Sequence, residues 1–239
     1  MVTRVGLVQS GAPASSFGST ITSGTFNTQV GDCVLVFARF RAATTETVSG
    51  VTLTLGSAPA LTSANVTNVS GRNTSSAWYR IITTAQTGDQ VVATFSGNVD
   101  YRGLDVIVYR PGSGGTLSYD TVGVANTGFG PTSITTSAIN TSGGGVLCAF
   151  ISGYYGDFVG PTITAGYTKF GTDTLFSAVA EKFPSSSLSS ETITWSDTNA
   201  TSYSIAHLVA IKETGVATTI YDTASFSRGI GRGIAIGIA

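Results

Sequence analysis

Apolar residues along this chain recur in short runs that alternate with polar positions, and turn residues separate the runs. They cover 21–28, 33–41, 51–55, 77–83, 90–95 and 104–110 in the first half, and 134–140, 145–151, 162–164, 175–183, 192–195 and 204–212 in the second. A two-residue period is typical of half-buried strands, and no stretch keeps a 3.6-residue period over a helical length. The pattern predicts an all-β fold, an antiparallel β-sandwich or jelly roll.

The run at 33–41 is apolar on both of its faces. One face carries Val34, Val36 and Ala38, and the other carries Cys33, Leu35 and Phe37. Burial of both faces predicts a central strand. The second cysteine, Cys148, lies in the similar run VLCAF, so both thiols are interpreted as small buried side chains. A disulfide between them would require that their strands be neighbours.

The two halves of the chain share a pattern that indicates internal duplication. Residues 21–37 align without a gap on residues 134–150, and six positions are identical, with Phe37 above Phe150. The likeness recurs downstream, where 91–96 matches 192–196 and sets Phe95 opposite Trp195. It continues where DVIVYR matches HLVAIK. Three matched blocks in the same order predict two related sub-structures with these aromatic pairs at equivalent places.

The duplication suggests a division of the chain into four parts. They are an N-terminal segment 1–16, a first β repeat unit 17–113, a linking strand with the second repeat unit 114–213, and a C-terminal assembly arm 214–239. Each unit could close a sandwich alone, or the two could combine. The linking stretch contains Leu117, Tyr119, Val122 and Val124. These apolar residues favour one compact double unit.

The end of the sequence, SRGIGRGIAIGIA, has a different pattern. Ile230, Ile234, Ile236 and Ile238 share one face of a two-residue period, and Gly or Ala fills most of the other positions. The Gly content is also typical of a disordered tail. The Ile spacing favours an arm that adds a strand to the sheet of a partner.

Charged residues make up only 10% of the chain, and the net charge is −1. No basic stripe is present, so nucleic acid is not expected as a partner. No apolar run approaches the roughly 20 residues that span a bilayer, and the N-terminus makes a poor signal peptide. An uncharged polar surface suits stacked or repeated contacts, because little like-charge repulsion builds up. The same composition is also typical of secreted β-proteins.

The sequence offers little chemistry, and an enzyme is not expected. The one histidine, His207, lies mid-strand among apolar residues and is interpreted as a core residue. Metal-ligand spacings and phosphate-binding loops are absent, so neither a metal nor another cofactor is predicted. A carboxylate pair of the glycosidase kind would meet only in space. Its candidates are Asp89, Asp100, Asp105, Asp157, Asp173, Glu181, Glu191 and Asp197.

A Gly-rich segment at 153–158 carries three aromatic residues, Tyr154, Tyr155 and Phe158. Aromatic side chains in such a loop can stack on a sugar or insert into a neighbouring subunit. The segment is therefore a candidate contact loop, with ordinary loop packing as the alternative.

Residues 17–213 resemble jelly-roll-like virion proteins of tailed bacteriophages. The resemblance is carried by a Thr-rich strand, a Gly-Asp turn and an apolar strand, here FNTQVGDCVLVFARF, followed by the aromatic strand SSAWYRIITT. A second Gly-Asp turn leads to VVATFSG, and a weaker second copy ends in SIAHLVAIKE. The likeness rests on pattern and transfers no functional residue.

The resemblance implies a structural part of a virion, with a capsid decoration or cement protein as the first expectation. Its expected partners are other virion proteins of the capsid or tail and copies of itself, with a trimer as the expected oligomer. The alternative is a tail or head fibre, or a receptor- or carbohydrate-binding module that would use the aromatic loop and bind a glycan.

Overall fold

The computed structural model describes residues 1–11, 17–41, 46–56, 59–69, 73–127, 132–153, 161–174, 177–196 and 203–215. Every regular element in these ranges is a strand, which confirms the all-β class. The strands are β1 (Thr3–Gly11), β2 (Gly18–Thr22), β3 (Phe26–Thr28), β4 (Cys33–Arg41), β5 (Val48–Leu53), β6 (Thr62–Val69), β7 (Asn73–Ile81), β8 (Gln86–Asp89), β9 (Val91–Arg110), β10 (Thr116–Thr127), β11 (Ser133–Thr135), β12 (Gly145–Gly153), β13 (Thr162–Ile163), β14 (Thr168–Thr174), β15 (Ser177–Lys182), β16 (Thr194–Ser196) and β17 (Ser204–Thr214). Within the described ranges, no helix is long and apolar enough to cross a membrane.

The first half is built on a large sheet with the strand order β1-β9-β4-β7-β6, all antiparallel. The long strand β9 also pairs through its first part with β2 and β5, which form a small sheet. Between these two parts of β9, Tyr101 adopts a positive φ of 45°. The Arg41 guanidinium lies 3.9 Å from the Tyr101 ring centroid and contacts Asp100 at 2.6 Å, which holds this bend in place.

The second half repeats the arrangement. Its large sheet has the order β10-β17-β12-β15-β14, and its small sheet has the order β11-β16-β13. The central strands β4 and β12 are buried on both faces, as the two-faced apolar pattern of 33–41 predicts. Here the small and large sheets have separate strands, β16 and β17, where the first half has the single strand β9.

The hydrogen-bond register shows which residues of the two halves correspond. Ile21 pairs with Ala93, and Ile134 pairs with Trp195. Ala93 therefore takes the place of Trp195, and the sequence alignment that set Phe95 opposite Trp195 is displaced by two residues. Both aromatic side chains are nevertheless buried, each in the core of its own half.

A β-bulge recurs at the same place in both halves. The register of β1 against β9 shifts at Val5, beside the pair that Tyr109 makes, and the register of β10 against β17 shifts at Asp120, beside the pair that Ile211 makes. Bulges are specific local features that redirect a strand. Strand order, register and bulge therefore agree between the halves, while duplication as their origin stays a prediction.

The two large and two small sheets form four layers with three apolar cores between them, and β3 and β8 pair in a separate two-stranded sheet. Each small sheet packs on the outer face of its own large sheet, which gives one core in each half. The inner faces of the two large sheets pack against each other and form the central core. Strands β1 and β14 contact each other, as do β6 and β10, so the two large sheets run in opposite strand order across this core.

Candidate functional site

Two phenylalanine rings mark the centre of the molecule. Phe37 and Phe150 stack with centroids 4.6 Å apart and planes 4° from parallel, and neither side chain is exposed. In the register, Phe37 faces Asp105 of β9 and Phe150 faces His207 of β17. Because equivalent residues meet here, an approximate two-fold axis passes between the rings.

Two buried polar pairs follow this approximate axis. The Ser177 hydroxyl donates to Asp105 Oδ2 at 3.4 Å, and His207 Nε2 lies 3.0 Å from Ser75 Oγ. Each pair bridges the two halves. Burial lowers the pKa of His207 to about 3, so the imidazole is neutral at ordinary pH. These pairs satisfy polar groups within the central core.

Asp105 has more hydrogen-bond and ion-pair partners than His207, the residue at the equivalent position of the second half. The Gln9 amide donates to its Oδ1 at 2.6 Å, and Arg39 Nη2 lies 3.9 Å from its Oδ2. Burial raises the pKa of Asp105, while Arg39, Gln9 and Ser177 act in the opposite sense. The carboxyl group is wholly enclosed by these partners.

Two further contacts between the large sheets lie at positions that the approximate two-fold axis relates, but their residue types differ. Arg4 Nη2 lies 3.5 Å from Glu181 Oε1 on one side of the central core. At the corresponding place on the other side, Tyr79 and Tyr119 stack with ring centroids 4.6 Å apart. Tyr109 adds to the first pair by donating its hydroxyl to Glu181 Oε2 at 3.2 Å. Both contacts join the two large sheets.

The nucleophile and base candidates are inaccessible. His207 is fully buried, and its Nδ1 has no hydrogen-bond partner among the described residues, so no carboxylate orients the ring. Cys33 and Cys148 are free and fully buried. Burial raises the pKa of Cys33 to about 12 and raises that of Cys148 as well. A thiol with so high a pKa is a poor nucleophile.

Each carboxylate considered for a glycosidase pair binds other groups where the structure describes it. Glu191 accepts from Lys182 and Tyr167, and Asp100 binds Arg41. Asp89 accepts backbone N–H groups of Thr54, Leu55 and Gln90 through Oδ1. Asp105 and Glu181 bind the partners described above, between the two large sheets. Asp157, Asp197 and the Asp173 side chain lie outside the described residues.

Among the residues described, no cluster of three or more His, Cys, Asp or Glu could hold a metal ion.

A groove opens at the end of the molecule where the chain starts and β17 finishes. We call it the end groove; its volume is about 480 Å³, and its walls include Val2, Gly144, Phe183, Pro184, Glu213 and Gly215. The Gly145 N–H donates to the Pro184 carbonyl at 3.0 Å, and the Glu213 N–H donates to the Gly144 carbonyl at 2.9 Å. These bonds fix the walls. Phe183 is 38% exposed, so part of its ring forms an apolar surface in the groove wall.

The central strands β4 and β12 both end at the opposite end of the large sheets. Strand β4 ends at Arg41, which pairs with Asn73, and β12 ends at Gly153, which pairs with Ser204. The Asn73 side-chain amide donates to the Ser152 carbonyl at 3.3 Å, so strand ends of both halves lie together. The nine residues of β12 separate the two ends by about 30 Å.

The residues singled out by sequence for contact and assembly lie outside the described residues. They are Tyr154, Tyr155 and Phe158 of the candidate contact loop and Ile230, Ile234, Ile236 and Ile238 of the assembly arm. What the structure gives is the place where each segment starts. The contact loop follows Gly153. Thr214, the first residue of the predicted arm 214–239, is the last residue of β17, and the rest of the arm starts at Gly215 in the wall of the end groove.

The end groove is not predicted by the sequence. Its walls come from the start of the chain, from the turn before β12, from the residues after β15 and from the end of β17. No local motif joins these segments. The one usable signal is the Phe183-Pro184 step, where a proline stops a strand directly after a large apolar residue.

Comparison with protein-family models, with curated proteins and with solved structures found no match to this chain.

Proposed function

We propose that this chain is a structural protein of a virion, a capsid decoration or cement protein of a tailed phage that attaches partly through its C-terminal arm. The observation that carries the proposal is the place from which the arm starts. The Ile-striped segment follows Gly215, which lies at one end of the four-layer body and in the wall of the end groove. A segment placed there is suited to reach a partner without disturbing the body.

The character of the described residues also supports a structural role. Asp100, Asp105 and Glu181 each lie beside an arginine side chain. Asp89 accepts backbone N–H groups, and the histidine and both thiols are enclosed. Buried groups satisfied in this way serve packing and specificity more often than chemistry. The low charge of the chain suits repeated copies on a shell.

The attachment can be tested on phage shells that lack the protein. A chain truncated after Gly215 keeps β17 whole, because that strand ends at Thr214. We expect it to fold and to remain soluble but to bind shells at least about 100-fold more weakly, since burial of each Ile side chain is worth roughly 1.5–3 kcal/mol before ordering costs.

Two substitutions sharpen this test. The pair Ile234→Asp and Ile236→Asp should act like the truncation, because each charge would be buried unpaired. Val30→Asp is the matched control, since Val30 is 67% exposed in a turn of the body and should leave binding unchanged. Retention of the truncated chain at full occupancy would show that the arm is dispensable and would overturn the proposal.

A fibre or receptor-binding module is the second candidate. It is supported by the place from which the candidate contact loop starts. Gly153 lies about 30 Å from the end groove, at the end of the sheets opposite to Gly215, after which the arm continues. A loop that starts there could contact a glycan while the arm holds the virion.

A glycan array tests this alternative directly. Specific binding that is lost on Tyr154→Ala and Tyr155→Ala, with the arm still required for virion attachment, would favour the fibre or receptor-binding role. Absence of binding to any glycan or host surface, with shell binding intact, would leave decoration as the function.

A further inference from the structure

We propose that the end groove of one copy receives the Ile-striped part of segment 216–239 from a second copy. The proposal rests on the function proposed above, because it names the surface that the assembly arm binds. It makes the arm a link between copies of the chain.

The end groove is suited to an apolar chain. Phe183, Pro184 and Val2 supply apolar wall, and the volume of about 480 Å³ falls in the roughly 300–1,000 Å³ range of sites that enclose small ligands. Its one described carboxylate, on Glu213, already accepts from the Gly112 N–H at 2.5 Å and lies 3.5 Å from the Met1 nitrogen. An apolar segment that enters the groove therefore leaves this charge with its partners.

The walls of the groove are already in place before anything binds. Backbone hydrogen bonds tie Gly145 to Pro184 and Glu213 to Gly144, and the Phe183 ring packs edge-on against Tyr109 of the central core at 6.4 Å between centroids. A preformed site avoids the cost of ordering its own residues on binding.

The spacing along the chain favours a second copy over the same copy. The segment begins in the wall of its own groove at Gly215, while the first Ile of the stripe, Ile230, lies fifteen residues further on. Fifteen extended residues reach about 50 Å, which is more than the roughly 30 Å length of the large sheets. A segment meant for its own groove would need only a few residues of spacer.

A period of two places the four Ile side chains on one face of an extended segment, which can insert them into a neighbour. If each copy gives one arm and receives one, every groove is filled in a closed assembly, either a reciprocal pair or a ring. The association is then concentration-dependent, as a contact within one chain would not be.

Two damaged variants test the proposal without any shell present. The chain truncated after Gly215 has a groove and no arm, and Phe183→Asp has an arm and a charged groove. We expect the full chain to self-associate in analytical ultracentrifugation, and each variant alone to do so about tenfold more weakly or worse. Mixed together, the two variants should form a heterodimer, because one intact arm meets one intact groove.

Leu55→Asp is the matched control, because Leu55 is as exposed as Phe183, at 38%, but lies outside the end groove. If Phe183→Asp lowers the melting temperature, Ser185→Trp is the replacement, since Ser185 is an exposed wall residue whose enlargement fills the groove without touching the core. Ser185→Trp should also lose self-association and regain a heterodimer with the truncated chain.

A monomeric full chain at its highest soluble concentration would overturn the proposal. So would groove variants that self-associate like the full chain, because the arm would then bind elsewhere. Neither result bears on shell binding, which is measured separately. A chain that self-associates through the groove but does not bind shells would instead overturn the virion function.

Discussion

Phe37 and Phe150 lie face to face across the approximate two-fold axis, with parallel rings 4.6 Å apart. The two rings occupy matching positions in the central strands β4 and β12 and join the two large sheets. A contact between equivalent residues is the geometry of an isologous dimer interface, here formed within one chain. The two halves are thus held together in the way that two subunits would be.

We expect the two rings to be energetically coupled. Phe37→Ala and Phe150→Ala should each cost about 3–5 kcal/mol of unfolding free energy, because each leaves a cavity in a closed core. The double variant should cost less than the sum by about 0.5–1.5 kcal/mol, the usual coupling of an aromatic pair. Urea denaturation monitored by tryptophan fluorescence measures all three.

Phe95 provides the control for this cycle. It is buried in the core between the large and small sheets of the first half and belongs to a different cluster from Phe150. Phe95→Ala combined with Phe150→Ala should therefore be additive. Equal coupling in both cycles would mean that the halves unfold together for reasons unrelated to the stack.

The sequence predicted the large features because they depend on local pattern. Alternation fixed the strand class, and the two-faced apolar run at 33–41 correctly indicated a central strand. The correspondence of Phe95 with Trp195 was displaced because it matched one aromatic residue with another, whereas the register matches Ala93 with Trp195. Residue type alone does not show which positions of two strands correspond.

The end groove and the polar pairs could not be predicted in the same way. The two bonded partners His207 and Ser75 are 132 residues apart, and the groove joins four distant segments. Such contacts follow from how two sheets are oriented face to face. A single sequence contains no local signal of that orientation.

Two strand glycines should respond differently to substitution by alanine. A Cβ at Gly123 would lie 2.5 Å from the Ser137 carbonyl oxygen and 2.9 Å from Ile139 Cγ2, whereas a Cβ at Gly50 would meet no atom within 4 Å. Gly123→Ala should therefore destabilise the protein by about 1–3 kcal/mol through overpacking. Gly50→Ala should be neutral or stabilising by up to about 1 kcal/mol. Thermal melts of the two variants compare them, and equal shifts would contradict the close packing of β10 on residues 137–139.

The two thiols should be unreactive in the native protein. Cys33 and Cys148 are fully buried, and burial raises the pKa of both. A thiol-specific dye should label neither residue in buffer and both in denaturant. Ser19→Cys, at an exposed position of β2, is the positive control and should be labelled at once in the native state. Native labelling of the wild-type chain at the rate of this control would show that the cores open readily.

Stability should fall on acidification because of His207. Its pKa is about 3 in the folded protein and about 6.5 when unfolded, so between these values the unfolded chain binds a proton that the folded chain does not. The unfolding free energy therefore rises with pH in this window. As the pH falls below 6.5, the unfolding free energy decreases by an amount that approaches about 1.4 kcal/mol per pH unit. From pH 7 to pH 5 the contribution amounts to about 2 kcal/mol.

Two of the buried carboxyl groups, those of Asp105 and Glu181, oppose this trend in the wild-type curve. The pKa values of Asp105 and Glu181 are raised, so the folded protein holds their protons to higher pH than the unfolded chain does, and their contribution falls as pH rises. A comparison with His207→Gln separates the two effects, since both carboxyl groups remain in that variant. The stability of the wild type relative to His207→Gln should therefore drop by about 2 kcal/mol between pH 7 and pH 5, measured by urea denaturation at each pH. A difference that stays constant over this range would mean that the imidazole is protonated inside the folded protein, in conflict with its enclosed position beside Ser75.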